Sequence, residues 1–324
     1  MKRLLAVIAL AALVYGGWWV YAAQSLRGAV ENGFAMLRTD GWTAGYDDLS
    51  VRGFPNRTDL TVTGPRLTSP DGRIAWRAPF VQMLGLSYNR DHVILAWPDA
   101  QSLRIGNTDV AITSDGLRAS VVKKDGALLR SNLEAPVLNI STPEGSAAFA
   151  GVTAALEKIE PLNASYRLAV IADRIALSAP PIGGGNAPDS LSDLRVDLAF
   201  ELDAPLRLDR LSAAPRPVQI AVRHSEISYG ALTIKLSGDA RIGPDGYPTG
   251  EVRIMSNNWR AALEAARDRG HLPRRMADRL IEMLTLLSGL SGARDTLDVT
   301  LGLRRGGVFL GPLKIGQLPP FPLR

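Results

Sequence analysis

From Leu4 to Ala23 the chain runs 20 residues without a charged side chain. At about 1.5 Å per helical residue such a run spans the roughly 30 Å hydrocarbon core of a bilayer. Lys2 and Arg3 precede it and favour the cytoplasmic side, while Trp18, Trp19 and Tyr21 gather at the far end, where amphipathic rings prefer the headgroup layer. Everything downstream is then exported. The Val20-x-Ala22 step has the small-residue form of a cleavage site. The length of the run and the bulky rings beside that step favour a retained signal-anchor. The remaining reading is a helix buried in a soluble core.

The exported part is long enough for one large or two ordinary domains. Cysteine is absent, which removes disulfides, thiol chemistry and cysteine-ligated metals. Of the formal charge of +5, Lys2 and Arg3 supply two, and the other bases are dispersed among acids. With no basic helix or aromatic-interleaved basic strip, nucleic acid is not an expected partner.

Ser25 to Arg38 continues the helix, with Leu26, Val30, Phe34 and Leu37 on one stripe, and Asp40-Gly41 ends it. From Tyr46 the apolar period falls from 3.6 to 2. Short alternating segments follow, among them 58–63, 74–76, 80–88, 92–97, 102–105, 110–113, 117–122, 127–130 and 135–140. Gly64-Pro65, Pro70-Asp-Gly72, Pro98-Asp99, Asp115-Gly116 and Asp125-Gly126 punctuate them; the last two read as hairpin turns. Ala147 to Ile159 is a helix candidate through Val152, Leu156 and Ile159.

A second strand-rich run starts at Ser165. It contains a loop at 180–190, whose Gly183-Gly-Gly185 lacks the Lys-Ser/Thr of a phosphate loop. Asn258 caps a helix from Trp259 to Asp268, and Pro273 opens a second, with Met276, Leu280, Met283, Leu284 and Leu287 on one stripe. Strands at 297–303 and 308–310 and a proline-rich tail close the chain.

The fold class is therefore mainly β with flanking helices (α+β): strongly twisted antiparallel sheets after an N-terminal transmembrane helix. The segments are a signal-anchor over 1–24, a helix and first β-rich half over 25–145, and a second β-rich half over 146–324 with two late helices in 259–288. The late stripe is expected to cover one sheet face and to leave an apolar trough beside it.

Chemistry is sparse. The histidines are His92, His224 and His271, without metal-ligand spacing or a nucleophile elbow. His224-Ser225-Glu226 has the residue types of a hydrolase, but neighbours on a strand point to opposite faces. Asp47 and Asp48 diverge for the same reason. No catalytic, metal or cofactor site is expected. The aromatics Trp42, Tyr46, Phe54, Trp76, Phe80, Trp97 and Trp259 read either as core packing or as the lining of an apolar groove for an acyl chain or a partner segment. Arg52, Arg57, Arg73, Arg77 and Arg90 are of the type that clamps a lipid phosphate.

Several phrases resemble the DUF2125 family of alphaproteobacterial proteins. They are Gly41-Trp-Thr-Ala-Gly-Tyr46, Val51-Arg-Gly-Phe-Pro-Asn-Arg57, Trp76-Arg-Ala-Pro79, Leu86-Ser-Tyr-Asn-Arg-Asp-His-Val-Ile94 and the stretch Gly306 to Pro319. A looser likeness, carried by Gly238 to Val252, is to AsmA-like envelope proteins. The resemblance implies an envelope location: single pass in the inner membrane through residues 4–23 with the body in the periplasm, or secreted to the periplasm after cleavage. Partners would be phospholipid or acyl chains, or another envelope protein. The expected function is non-catalytic lipid binding or handling; the rivals are an envelope scaffold and, third, an envelope hydrolase.

Overall fold

The structure, a computed structural model, describes residues 1–178, 190–208, 215–229, 232–268, 273–290 and 296–321. The chain is mostly β and divides into two units, Met1–Glu144 and Gly145–Arg324. The loop expected at 180–190 and His271 fall largely or wholly outside the described residues.

In the first unit a single helix, α1 (Lys2–Thr39), carries the apolar run and the expected stripe without a break. Leu26, Val30 and Phe34 pack on Leu49, Leu60 and Val62, the last three almost wholly buried. Apolar stripes four residues apart stack on one helical face, which is why this half of α1 binds a sheet.

Six long antiparallel strands form that sheet, five of them bent in mid-course. β1 (Thr43–Gly45) runs into β2 (Asp48–Arg52), β3 (Asp59–Thr63) into β4 (Arg66–Thr68), and β5 (Ile74–Arg77) into β6 (Phe80–Leu86). Likewise β7 (Asn89–Ala96) runs into β8 (Ala100–Ile105) and β9 (Thr108–Asp115) into β10 (Arg118–Lys124), beside the unbroken β11 (Ala127–Thr142). Each bent strand pairs with the next along both halves, so the order is a plain meander. β11 pairs β10 through residues before Ala135 and β9 through residues after Pro136.

The bends fall at Gly64-Pro65, Ala78-Pro79, Trp97-Pro98, Gly116-Leu117 and the Tyr46-Asp47 step. Inward apolar positions flanking a corner are five residues apart: Ala44 and Leu49, Val62 and Leu67, Trp76 and Val81. An odd spacing would swing a straight strand's side chain to the other face, so the corner takes up one residue. Pro65, Ala78, Pro98 and Ala135 at these corners are buried.

Two expectations change here. Asp125-Gly126 does join paired strands, with left-handed φ of 51° and 79°, as a hairpin turn requires. Asp115-Gly116 does not: β9 and β10 pair other strands, and Gly116 at φ 62° bends the chain onward instead of reversing it.

The second unit is a consecutive antiparallel meander. Its strands are β12 (Gly145–Lys158), β13 (Ser165–Leu177), β14 (Ser190–Leu202), β15 (Pro217–Tyr229), β16 (Leu232–Ile242) and β17 (Pro248–Asn257), followed by β18 (Thr296–Arg304), β19 (Gly307–Leu310) and β20 (Leu313–Gln317). The expected helix at Ala147–Ile159 is thus strand β12. Its alanines and 3.6-spaced apolar residues suit a helix, but Ala154, Leu156 and Lys158 also alternate with Thr153, Ala155 and Glu157, and pairing with β13 decides.

Between β17 and β18 stand α2 (Trp259–Asp268) and α3 (Arg274–Leu290), which pack on each other, with α3 meeting β18. Among the described side chains of α3, Ala277 and Ser288 are buried and Leu280, Met283 and Leu284 are half-buried, whereas Met276 is 56% exposed. Ala277 takes the inward place expected of Met276, and the rest of the described stripe stands.

Gly238 shows how closely β16 and β17 approach: a Cβ there would stand 2.2 Å from the Glu251 carbonyl oxygen and 2.8 Å from Val252 Cα, at φ 145°. Gly238→Val is expected to cost about 2 kcal/mol or more. Gly33→Ala, exposed on α1 with nothing within 4 Å of the added carbon, should gain up to about 1 kcal/mol. Thermal melts followed by circular dichroism check both signs.

Candidate functional site

The second unit's sheet is two-faced. Across it runs one row of directly opposed residues, Leu156, Leu168, Leu198, Val222, Gly238, Val252, Leu301 and Leu310, one from each of β12 to β19. On one side lies the row from Ala154 through Val170, Val196, Ser225, Leu236 and Ile254 to Val299. On the other lies the row from Tyr166 through Phe200, Ile220, Ala240 and Gly250 to Leu303. Side chains alternate along each strand, so three adjacent rows make one continuous apolar face.

Every member of the middle row is partly buried and keeps some contact with solvent. At one margin the face is sealed: Tyr166 is fully buried, stacks on Phe200 with ring centroids 5.8 Å apart, and its hydroxyl accepts the Leu206 N–H at 2.9 Å. Ser225 and Ser256 hydroxyls and the Trp259 indole N–H are buried without a hydrogen-bond partner.

The opposite face is charged. Arg167 clamps Asp197 through two hydrogen bonds of 2.9 and 2.7 Å, and Arg253 holds Asp298 in the same manner. Glu226 lies 3.4 Å from both His224 and Lys235. The Arg167 guanidinium holds the Asp197 carboxyl below the usual carboxylate range, with Arg223 and His224 adding to it, and Arg253 does the same for Asp298.

The expected aromatics are dispersed. Tyr46 joins the α1 core, edge-on to Phe34 at 4.8 Å. Trp42 sits just after α1, its backbone N–H bonded to Leu37. Trp76 lies between Leu67 and Leu103 and donates its indole N–H to Gln101 at 3.1 Å. Phe80 opens β6 opposite Thr63, Trp97 stands at a corner, and Trp259 begins α2 in the second unit, 4% exposed. Phe54 alone among them is largely exposed, at 59%. It meets Trp19 edge-on at 5.5 Å and Tyr15 at 6.5 Å.

Sequence reasoning missed the rows themselves. The alternation was visible, as in Leu194, Val196, Leu198 and Phe200 against Arg195 and Asp197, but the register that aligns eight strands was not.

The histidines assemble little. His92 Nε2 lies 3.0 Å from Ser120 Oγ on the exposed polar face of the first sheet, with no carboxylate bonded to its other nitrogen among the described residues. Ser225 and His224 point to opposite faces, the first buried and the second exposed. No group of His, Asp or Glu among the described residues has the geometry of a metal site. The cleft between α2 and α3 is lined by Arg260, Glu264, Arg267, Asp278 and Glu282, with Arg267 bonded to both Asp268 and Asp278.

A carboxyl whose pKa is lowered by folding stabilises above its unfolded value and loses that contribution as pH falls through the folded one. Asp197→Asn should therefore lower the melting temperature at neutral pH, and the gap to the wild type should close below about pH 4. Melts across pH read this out.

Residues 19–319 match the family model described as an uncharacterized protein conserved in bacteria, DUF2125. Comparisons with curated proteins and with solved structures give no match, and the likeness to AsmA-like proteins gains no support. The match runs from Trp19 in α1 through both units and almost to the end of the chain, and the protein belongs to the DUF2125 family.

Proposed function

We propose that the chain is a membrane-anchored, non-catalytic protein of the cell envelope whose exported body shelters lipid hydrocarbon on the apolar face of its second sheet. The observation that carries this reading is the continuous, incompletely buried apolar row from Leu156 to Leu310. Nine strands at about 4.8 Å make a sheet roughly 40 Å wide, whereas two helices side by side cover a band of about 20 Å. Apolar surface left in contact with water on that scale is costly at about 25 cal/mol per Å² and marks a binding surface.

The chemistry of the face selects the occupant. A small polar ligand needs several convergent hydrogen-bonding groups, whereas the three rows are apolar apart from the Ser225 hydroxyl. An acyl chain needs only continuous methyl and methylene contact. Anchoring by α1, with a mean hydropathy of 1.9 in its apolar window, keeps such a face beside a source of lipid.

Benzophenone side chains placed at Leu168, Leu198 or Ala199 in the full chain, irradiated in its own membranes, test the proposal. The first two positions lie on the apolar face and the third on the charged one. Phospholipid adducts at 168 and 198 but not at 199 are expected. Adducts to one envelope protein at 168 and 198, or none, would overturn lipid binding, and the protein adduct would favour a scaffold.

A further inference from the structure

The contact stripe of α1 extends further back than its packing on Leu49, Leu60 and Val62. Ala22 and Ala23 are buried, Trp19 donates its indole N–H to the Arg57 carbonyl at 2.8 Å, and the Tyr15 hydroxyl donates to the Pro55 carbonyl at 3.0 Å. Residues 15–23 thus belong both to the apolar run and to the surface on which the body docks. Only Lys2 to Val14 project free of it, about 20 Å of helix against a hydrocarbon core of about 30 Å.

The loop that meets Tyr15 and Trp19 is Gly53 to Arg57, between β2 and β3. It is tied to the β6–β7 turn: Ser87 N–H donates to Asn56 O at 2.9 Å, and Ser87 Oγ lies 3.2 Å from Pro55 O and 3.1 Å from Asn56 O. Gly53 O accepts the Arg57 N–H, and Gly85 O accepts the Thr58 N–H. The carbonyls of Gly53, Pro55, Asn56 and Arg57 are all satisfied within the protein. Irregular backbone tolerates a low-dielectric layer only under that condition. Three large apolar or aromatic side chains are exposed at this end, Phe54 at 59%, Tyr88 at 71% and Leu86 at 38%, with Asn56 and Asn89 exposed beside them. Arg52, Arg57 and Arg90 surround them, together with Asp59, which pairs with Arg57, and Asp91.

We infer that the Phe54 loop and the Tyr88 turn are inserted in the bilayer surface, with Phe54, Leu86 and Tyr88 at the boundary of headgroups and acyl chains and the arginines among lipid phosphates. Interfacial segments sink about 5–10 Å, which accounts for the missing length of free helix. The inference rests on the reading of α1 as a membrane anchor.

Because the chain has no cysteine, single-cysteine variants report one site each. Phe54→Cys, Tyr88→Cys, Arg90→Cys, Ala12→Cys and Asn107→Cys are labelled with an environment-sensitive fluorophore in the full chain. Asn107 is exposed at the opposite end of the sheet. The proteins are reconstituted in vesicles of phosphatidylethanolamine and phosphatidylglycerol bearing a nitroxide either high or deep on the acyl chain. Sites 54, 88 and 90 should be quenched by the shallow nitroxide about twofold or more beyond site 107, and site 12 by the deep one. Quenching at 12 but not at 54, 88 and 90 would leave the anchor standing and overturn the insertion. Loss of quenching at 12 as well would overturn the anchor and the insertion together.

Discussion

The packing of Leu26, Val30 and Phe34 onto Leu49, Leu60 and Val62 is the contact on which this architecture turns. It is where a helix closes over a sheet face and gives the first unit a two-sided hydrophobic core. Because the same helix continues without interruption into the apolar run, that run is rigidly continuous with the first unit's core. The first unit therefore has a set height and orientation relative to whatever the N-terminal turns occupy. A flexible linker would have left both free.

Much of this was legible in the residues. The helix stripe, the change of period at Tyr46, the strand-rich halves and the late helix pair all follow from spacing. What could not be read is of one kind. Gly64-Pro65, Pro98-Asp99 and Asp115-Gly116 carry the composition of turns, yet the chain bends there and runs on, whereas at Asp125-Gly126 it reverses. Glycine and proline report that a strand cannot continue straight; only the choice of pairing partner distinguishes a corner from a hairpin. β12 failed for a related reason, since its alanines fit either period and β13 supplied the missing term. The expected groove residues are aromatics, whereas the apolar face of the second sheet is mainly aliphatic, and its identity lies in register.

The two faces of the second sheet divide the work of stability. On the charged side, Arg167 with Asp197 and Arg253 with Asp298 brace neighbouring strands at the surface. On the apolar side, continuity across strands comes from direct opposition of similar side chains. Gly238 interrupts the middle row with a residue that has no side chain, because the neighbouring backbone leaves no room for one. The face therefore has a shallow notch at its centre, between Val222 and Val252.

The corners of the first sheet have a mechanical consequence. Pro65, Pro79, Pro98 and Pro136 lie near the same level on four of the six strands, and each removes an amide donor from the ladder there. Like a score line on card, this level sets where the sheet creases, while β11, which crosses it unbroken, ties the two half-sheets together.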